Sequence, residues 1–428
     1  MNHRKILIKN AEKIITMDYA GGILSGDILI SNGRIEETGG NVTPTGDEYL
    51  IDAAGRWVMP GFIQCHIHLC QTGFRNSAND LPLVRWLDEK ILPMEAALDG
   101  ESTRLNSLLG IAELLKCGTT TIMDMGAVRH TDVIIETAIE TGIRGFFGKT
   151  IMDAGVSPDS LREETDFAIN DAVRLFEKFD GAANGRIRCT FNPRFAPACS
   201  GALFERLGKI AGETGAFVHT HAHETTEEIE LTVRYFGMRG YRLFEKYGLA
   251  GENLFTAHAV WLDEEDLGIL KCAGVNVVHC PSGNMALASG VAPVKRLLDE
   301  GVTVLIGADG APCNNNLNVF SELRHAAFLI KLTSGAGGVD CRKLVSMATI
   351  EAAKALKIDR ETGSVEAGKK ADLIILNPYL VHSMPCPEPF SSIVYSFTDR
   401  NAEAVLVDGE ILYQNGRLTT IDENELLP

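Results

Sequence analysis

None of the ten cysteines stands in a Cys-x-x-Cys pair, so neither a zinc ribbon nor a thioredoxin-type redox motif is present. Most of them lie in apolar surroundings, as expected of reduced, buried thiols in a reducing compartment. No stretch reaches the roughly 20 apolar residues that a membrane helix needs. The opening residues alternate like a strand and lack the apolar core and small-residue cleavage site of a secretory signal. A cytoplasmic protein is expected. Positive charge is scarce, with 40 Lys+Arg against 57 Asp+Glu and a net charge of −17. That excludes nucleic acid as a natural partner, because its binding rests on Lys/Arg contacts to phosphate. There is no internal repeat and no low-complexity tract.

What is present is a strict alternation. Eight strand-like runs follow one another: 59–68, 119–126, 143–150, 187–195, 216–224, 253–260, 274–281 and 302–310. Between them lie segments with apolar residues at helical spacing that end on glycine, such as 131–142, 203–215, 263–274 and 292–301. Alternating strands and helices imply parallel strands with crossovers, and eight such units imply a closed (β/α)8 TIM barrel. The rival, an open doubly wound sheet, would usually show a Gly-rich first turn, and "GFIQCHIH" is not one. The two ends read differently. Residues 1–58 and 366–428 are alternating strands with hairpin signals at Asn32-Gly33, Asp408-Gly409 and Asn415-Gly416. They are expected to pair into one small β-sandwich domain, leaving 59–365 as the catalytic barrel.

Active-site residues of such a barrel sit at the C-terminal ends of its strands. The first run ends in His66-Ile67-His68. The fifth carries His219, His221 and His223 at alternate positions, with Glu224 next. The sixth ends near His258, the seventh near His279 and the eighth near Asp309. Each histidine taken singly is a satisfied core residue, but imidazoles grouped with a carboxylate suit zinc or a similar first-row metal.

The segments "MPGFIQCHIHLCQ", "HTHAHE", "AHAVWLDEEDL", "VVHCPSGNMALASGVAPV" and "GADGAPCNNNLNVF" resemble the signatures of the amidohydrolase superfamily. Within it they resemble the branch that deaminates purines, purine nucleosides and related heterocycles, and the resemblance covers nearly the whole chain. It implies one zinc ion per chain, with Fe2+ or Mn2+ as substitutes, held by His66, His68, His221 and Asp309. The branch's His-x-x-Glu spacing selects His221 with Glu224. The resemblance gives Asp309 the proton of the attacking water, Glu224 the protonation of the ring nitrogen, and His258 a hydrogen bond to the attacking water. His219 then lies one layer deeper as a hydrogen-bonded core residue, and His223 stands beside the site or on the pocket wall. Lys149 is open between a charge in the pocket and a packing role. The fourth run has no lysine to carboxylate, which disfavours the two-metal cyclic amidohydrolases.

For the substrate, a small heterocycle, the resemblance divides. Gln71, Arg194 and Phe195 match guanine deaminases, where they grip the purine, and they point first to a guanine-type free base. Glu95 and the 307–331 stretch resemble enzymes that deaminate 5′-deoxyadenosine, methylthioadenosine and S-adenosylhomocysteine, in which the glutamate holds ribose hydroxyls. His279 is open between substrate contact and structural support, and Arg194 between base recognition and an ion pair. Triazine chlorohydrolases are a third relation, but retention of both Glu224 and Asp309 favours loss of an amine. A non-catalytic barrel would have lost ligands, and all are present. Homo-oligomers, dimers or higher, are expected by analogy with relatives.

Overall fold

The computed structural model describes residues 5–426; residues 1–4 and 427–428, the extremities of the expected sandwich domain, lie outside it. Eight parallel strands form the barrel: β1 (Phe62–Ile67), β2 (Thr119–Asp124), β3 (Arg144–Phe147), β4 (Ile187–Pro193), β5 (Phe217–Ala222), β6 (Leu254–His258), β7 (Asn276–His279) and β8 (Val304–Ile306). They are hydrogen-bonded in chain order. The ring is closed by a parallel bridge between Ile67 and Asp309, whose amide donates to the His66 carbonyl at 3.0 Å. The helical segments form as expected. Thr131–Thr141, Gly201–Thr214 and Glu264–Ala273 stop at Gly142, Gly215 and Gly274, each in the left-handed conformation that glycine adopts without a Cβ penalty.

The barrel interior is a packed core. Ile63, Cys65, Met123, Phe146, Phe217, Phe255, Ala257, Val278 and Leu305 form one apolar cluster, joined below by Ala352, Ala353 and Leu356. Burying each large side chain stabilises the fold by about 1.5–3 kcal/mol. The interior below the site is therefore filled, and polar groups are left for the top.

Both chain ends build the second sheet. Trp57–Pro60 pairs antiparallel with Leu373–Leu376, joining the five N-terminal strands to the four C-terminal ones. Ile28, Ile30 and Ile35 from one end share an apolar core with Leu373, Leu406 and Ile411 from the other. The hairpin residues Asn32-Gly33, Asp408-Gly409 and Asn415-Gly416 all have positive φ, as two-residue type I′ turns require. The chain passes from this sheet into β1 through Gly61, where a Cβ would lie 2.1 Å from the Thr120 side chain. Only glycine permits that approach.

Candidate active site

The site gathers at the C-terminal mouth of the barrel. His66 and His68 project from the end of β1 with rings 4.9 Å apart and perpendicular. The His66 Nε2 and His68 Nε2 atoms each lie 3.3 Å from Asp309 Oδ1, and His68 Nε2 lies 3.1 Å from His221 Nε2. The backs of the rings are held. His66 Nδ1 meets His219 Nε2 at 2.8 Å, and His221 Nδ1–H donates to the Arg194 carbonyl at 2.7 Å. With Nδ1 so engaged, the neutral His221 ring turns a bare Nε2 lone pair toward His68 Nε2.

Lone pairs and a carboxylate converging in a buried space repel one another unless a cation lies between them. A tetrahedral ion with bonds of about 2.0–2.1 Å needs donors about 3.3 Å apart, and the His66–Asp309, His68–Asp309 and His68–His221 pairs are 3.1–3.3 Å apart. The buried Nε2 of His66 has no hydrogen-bond partner. Donor atoms of His66, His221, His258 and Asp309 also all lie within 4.8 Å of one another. The donor set fits a single divalent metal.

Asp309 and His258 both sit at positive φ, 65° and 79°, conformations that cost about 1–3 kcal/mol and collect at functional sites. Burial would raise the Asp309 carboxyl, but the facing His66 and His68 rings hold it well below its ordinary range. Glu224 is the opposite case. Burial dominates and raises it to about 6, against the opposing pull of His258 and a hydrogen bond from Ser289. Its Oε2 lies 3.5 Å from His258 Nε2. Burial works to lower the His258 pKa, yet the facing Glu224 and Asp309 carboxylates raise it overall. His258 Nδ1 contacts Asn284 Oδ1 at 2.8 Å, which orients the ring.

A cavity opens beside this cluster, lined by Gln71, Leu83, Trp86, Leu87, Arg194, Phe195 and Leu287 together with the catalytic candidates. One wall includes the start of a single π-helical turn, Leu87–Ile91, an irregularity frequent at functional sites. Arg194 and Phe195 line the cavity as expected, and the Arg194 fork is bound by both oxygens of Glu95 at 2.7 and 3.1 Å. Gln71 Nε2 donates to the same carboxylate at 2.6 Å. Glu95 thus stands one layer behind the wall.

Several expectations are corrected or decided. His223 is not on the pocket wall. The strand ends at Ala222, His223 has φ 56°, and its Nε2 accepts from the Gly240 amide while Nδ1 lies 3.4 Å from Asp266. Lys149 sits in the break after β3 and pairs with Glu163 and Asp171, a packing role. His219 is the deeper hydrogen-bonded residue. His279 is fully buried outside the cavity lining, both ring nitrogens lack partners, and burial lowers it to about 3.

Sequence reasoning missed Glu228, Asn284 and Ser289. The Glu228 carboxylate accepts from the amides of His223 and Glu224 and so fixes the loop that carries Glu224. Its signal was there, since Thr225-x-x-Glu228 has capping-box spacing. Asn284 and Ser289 carried no such signal.

A model described as "Amidohydrolase family" matches residues 57–412. A 5′-deoxyadenosine deaminase of Methanobrevibacter smithii is 36% identical over 428 residues, covering 100% of this chain and 96% of its own. A 5-methylthioadenosine/S-adenosylhomocysteine deaminase of Caldicellulosiruptor saccharolyticus is 37% identical over 427 residues, 99% and 96% of the two chains. Among solved structures, an adenosine deaminase from Xanthomonas campestris with bound zinc superposes with TM-score 0.90 at 29% identity, covering 98% of this chain and 95% of that one. A guanine deaminase from C. acetobutylicum with bound guanine gives 0.86 at 25%, covering 95% and 99%. The relatives that align along the whole chain are named as deaminases of 5′-modified adenosines, which favours the second substrate expectation over the guanine-type reading. Its main physical support, an Arg194 fork available to a free base, is also weakened, because Glu95 already occupies that fork.

Proposed function

The chain belongs to the amidohydrolase family and is a hydrolytic deaminase acting on C–N bonds, and from that premise we propose that it deaminates a 5′-modified adenosine with one zinc ion per chain. Water replaces the exocyclic amine of the purine, and ammonia leaves. His66, His68, His221 and Asp309 would hold the ion, which when bound supplies a Lewis acid that lowers the pKa of coordinated water toward about 7. Asp309 takes the proton of the attacking water. Glu224, buried and shifted upward to about 6, protonates the ring nitrogen as aromaticity breaks, then relays to departing ammonia the proton that Asp309 took and is itself reprotonated from the new hydroxyl as the carbonyl forms. His258, oriented by Asn284, donates from Nε2 to the attacking oxygen.

Phe195 and Trp86 supply flat apolar faces for the purine, and Gln71, Arg194 and Glu95 form the polar network beside it. The observation that carries the reaction is the convergence of three Nε2 atoms and a carboxylate oxygen beside Glu224. The substrate rests on relatives that align along the whole chain. Ammonia release by zinc-loaded protein tests it, with 5′-deoxyadenosine, methylthioadenosine, S-adenosylhomocysteine and guanine compared side by side. Turnover of the adenosines without guanine is expected; the reverse would overturn the substrate assignment.

A further inference from the structure

The loop between the helices Pro281–Ala286 and Val294–Asp299 contains the stretch "ALASGV", which the functional reading leaves unused. Its Ser289 is buried, 3% exposed, and every polar group it has is engaged. The amide donates to the Asn284 carbonyl at 2.8 Å. The carbonyl accepts the Trp261 indole N–H at 2.7 Å. The hydroxyl donates to Glu224 Oε1 at 2.8 Å. Gly290 has φ 125°, and a Cβ there would lie 2.8 Å from Val260 Cγ1, so the loop packs on Val260 as only glycine allows.

We propose that Ser289 is a positioning residue that sets the direction of the Glu224 carboxylate. This rests on the reading of Glu224 as the acid/base. Among the described residues, Ser289 makes the one hydrogen bond to an oxygen of that carboxylate. With Oε1 pinned, Oε2 is turned to His258 at 3.5 Å and toward the cavity. Without the hydroxyl, a terminal sp²-type torsion is free to rotate through its broad range. The helix Pro281–Ala286 and the loop that follows it therefore aim both groups of the proton pathway, His258 through Asn284 and Glu224 through Ser289. Trp261 holds the loop from outside.

The test uses the full-length zinc-loaded protein with 5′-deoxyadenosine. Ser289→Ala should lower kcat by about tenfold or more, part of the 10²–10⁴ that a positioned acid/base contributes. KM should stay within about threefold and metal content unchanged. Ser289→Thr, which keeps a hydroxyl, should recover most of the loss. A Ser289→Ala protein as fast as the parent, or a Ser289→Thr protein as slow as Ser289→Ala, overturns the proposal. Crystal structures of the parent and Ser289→Ala give a readout independent of turnover. A Glu224 carboxylate rotated away from His258 supports the role, and an unmoved one overturns it. If the parent releases no ammonia from 5′-deoxyadenosine, the substrate assignment fails by itself, and the crystallographic comparison still decides how Glu224 is placed.

Discussion

Arg194 and Glu95, ninety-nine positions apart, meet as a bidentate pair with both side chains only 4% exposed. The main chain of Arg194 simultaneously accepts the Nδ1–H of His221. One residue thus ties a wall of the cavity to a candidate ligand of the ion, so substrate recognition and metal geometry share a support.

Replacing Arg194 with Met leaves the Glu95 charge buried without its partner. Stability should fall by about 3–5 kcal/mol, as when one half of a buried ion pair is removed, and KM for the nucleoside should rise about tenfold or more. Adding Glu95→Gln should return part of the stability and none of the affinity. Urea unfolding and steady-state kinetics on Arg194→Met, Glu95→Gln and the double variant check this, and additive stability changes would contradict the pairing.

Removal of the ion is expected to abolish turnover. After chelation and dialysis, one equivalent of zinc per chain should restore it, and elemental analysis should find no second ion. His221→Ala should hold less metal than the parent at every zinc concentration, because it removes an Nε2 donor. Two ions per chain would contradict the single-metal reading.

Glu224→Gln keeps the size of the side chain and removes its proton. The expected kcat loss is about 10³-fold, within the range for general acid/base groups, with metal content unchanged. Retained turnover would assign the proton transfers elsewhere.

Glu322 gives a pH signature away from the metal. It is fully buried beneath the β7 and β8 loops, accepting from Ser282 and Asn314, and burial raises it from 4.5 to about 7. A raised carboxyl binds its proton more tightly when folded. Its contribution is therefore complete below pH 4.5 and is lost as pH rises through about 7. At about 1.4 kcal/mol per tenfold, the difference is about 3 kcal/mol. Denaturant midpoints of the parent should fall between pH 5 and 8 relative to those of Glu322→Gln. Parallel curves would contradict the shift.

Much of this arrangement was legible in the residues because barrel strands and helices carry different periods. His66 and His68 share a face by strand parity, and Asn-Gly and Asp-Gly pairs mark turns that demand positive φ. Legibility ended where the regular backbone did. Parity put His223 beside His221, but the strand stops at Ala222 and a left-handed residue turns His223 toward Gly240 and Asp266. Lys149 fell into a break between β3 and Thr150–Ile151, which freed it to find Glu163 and Asp171. Ser289 and Asn284 act across 65 and 26 positions through tertiary contacts that no local pattern encodes.

The join between β1 and β8 has a consequence for how the protein comes to life. His66 and Asp309 are the first and last of the candidate donors along the chain, and they become neighbours only when the final strand docks against the first. A nascent chain lacking the last third of its length cannot assemble the complete donor set. The complete donor set thereby forms only when the circle is finished.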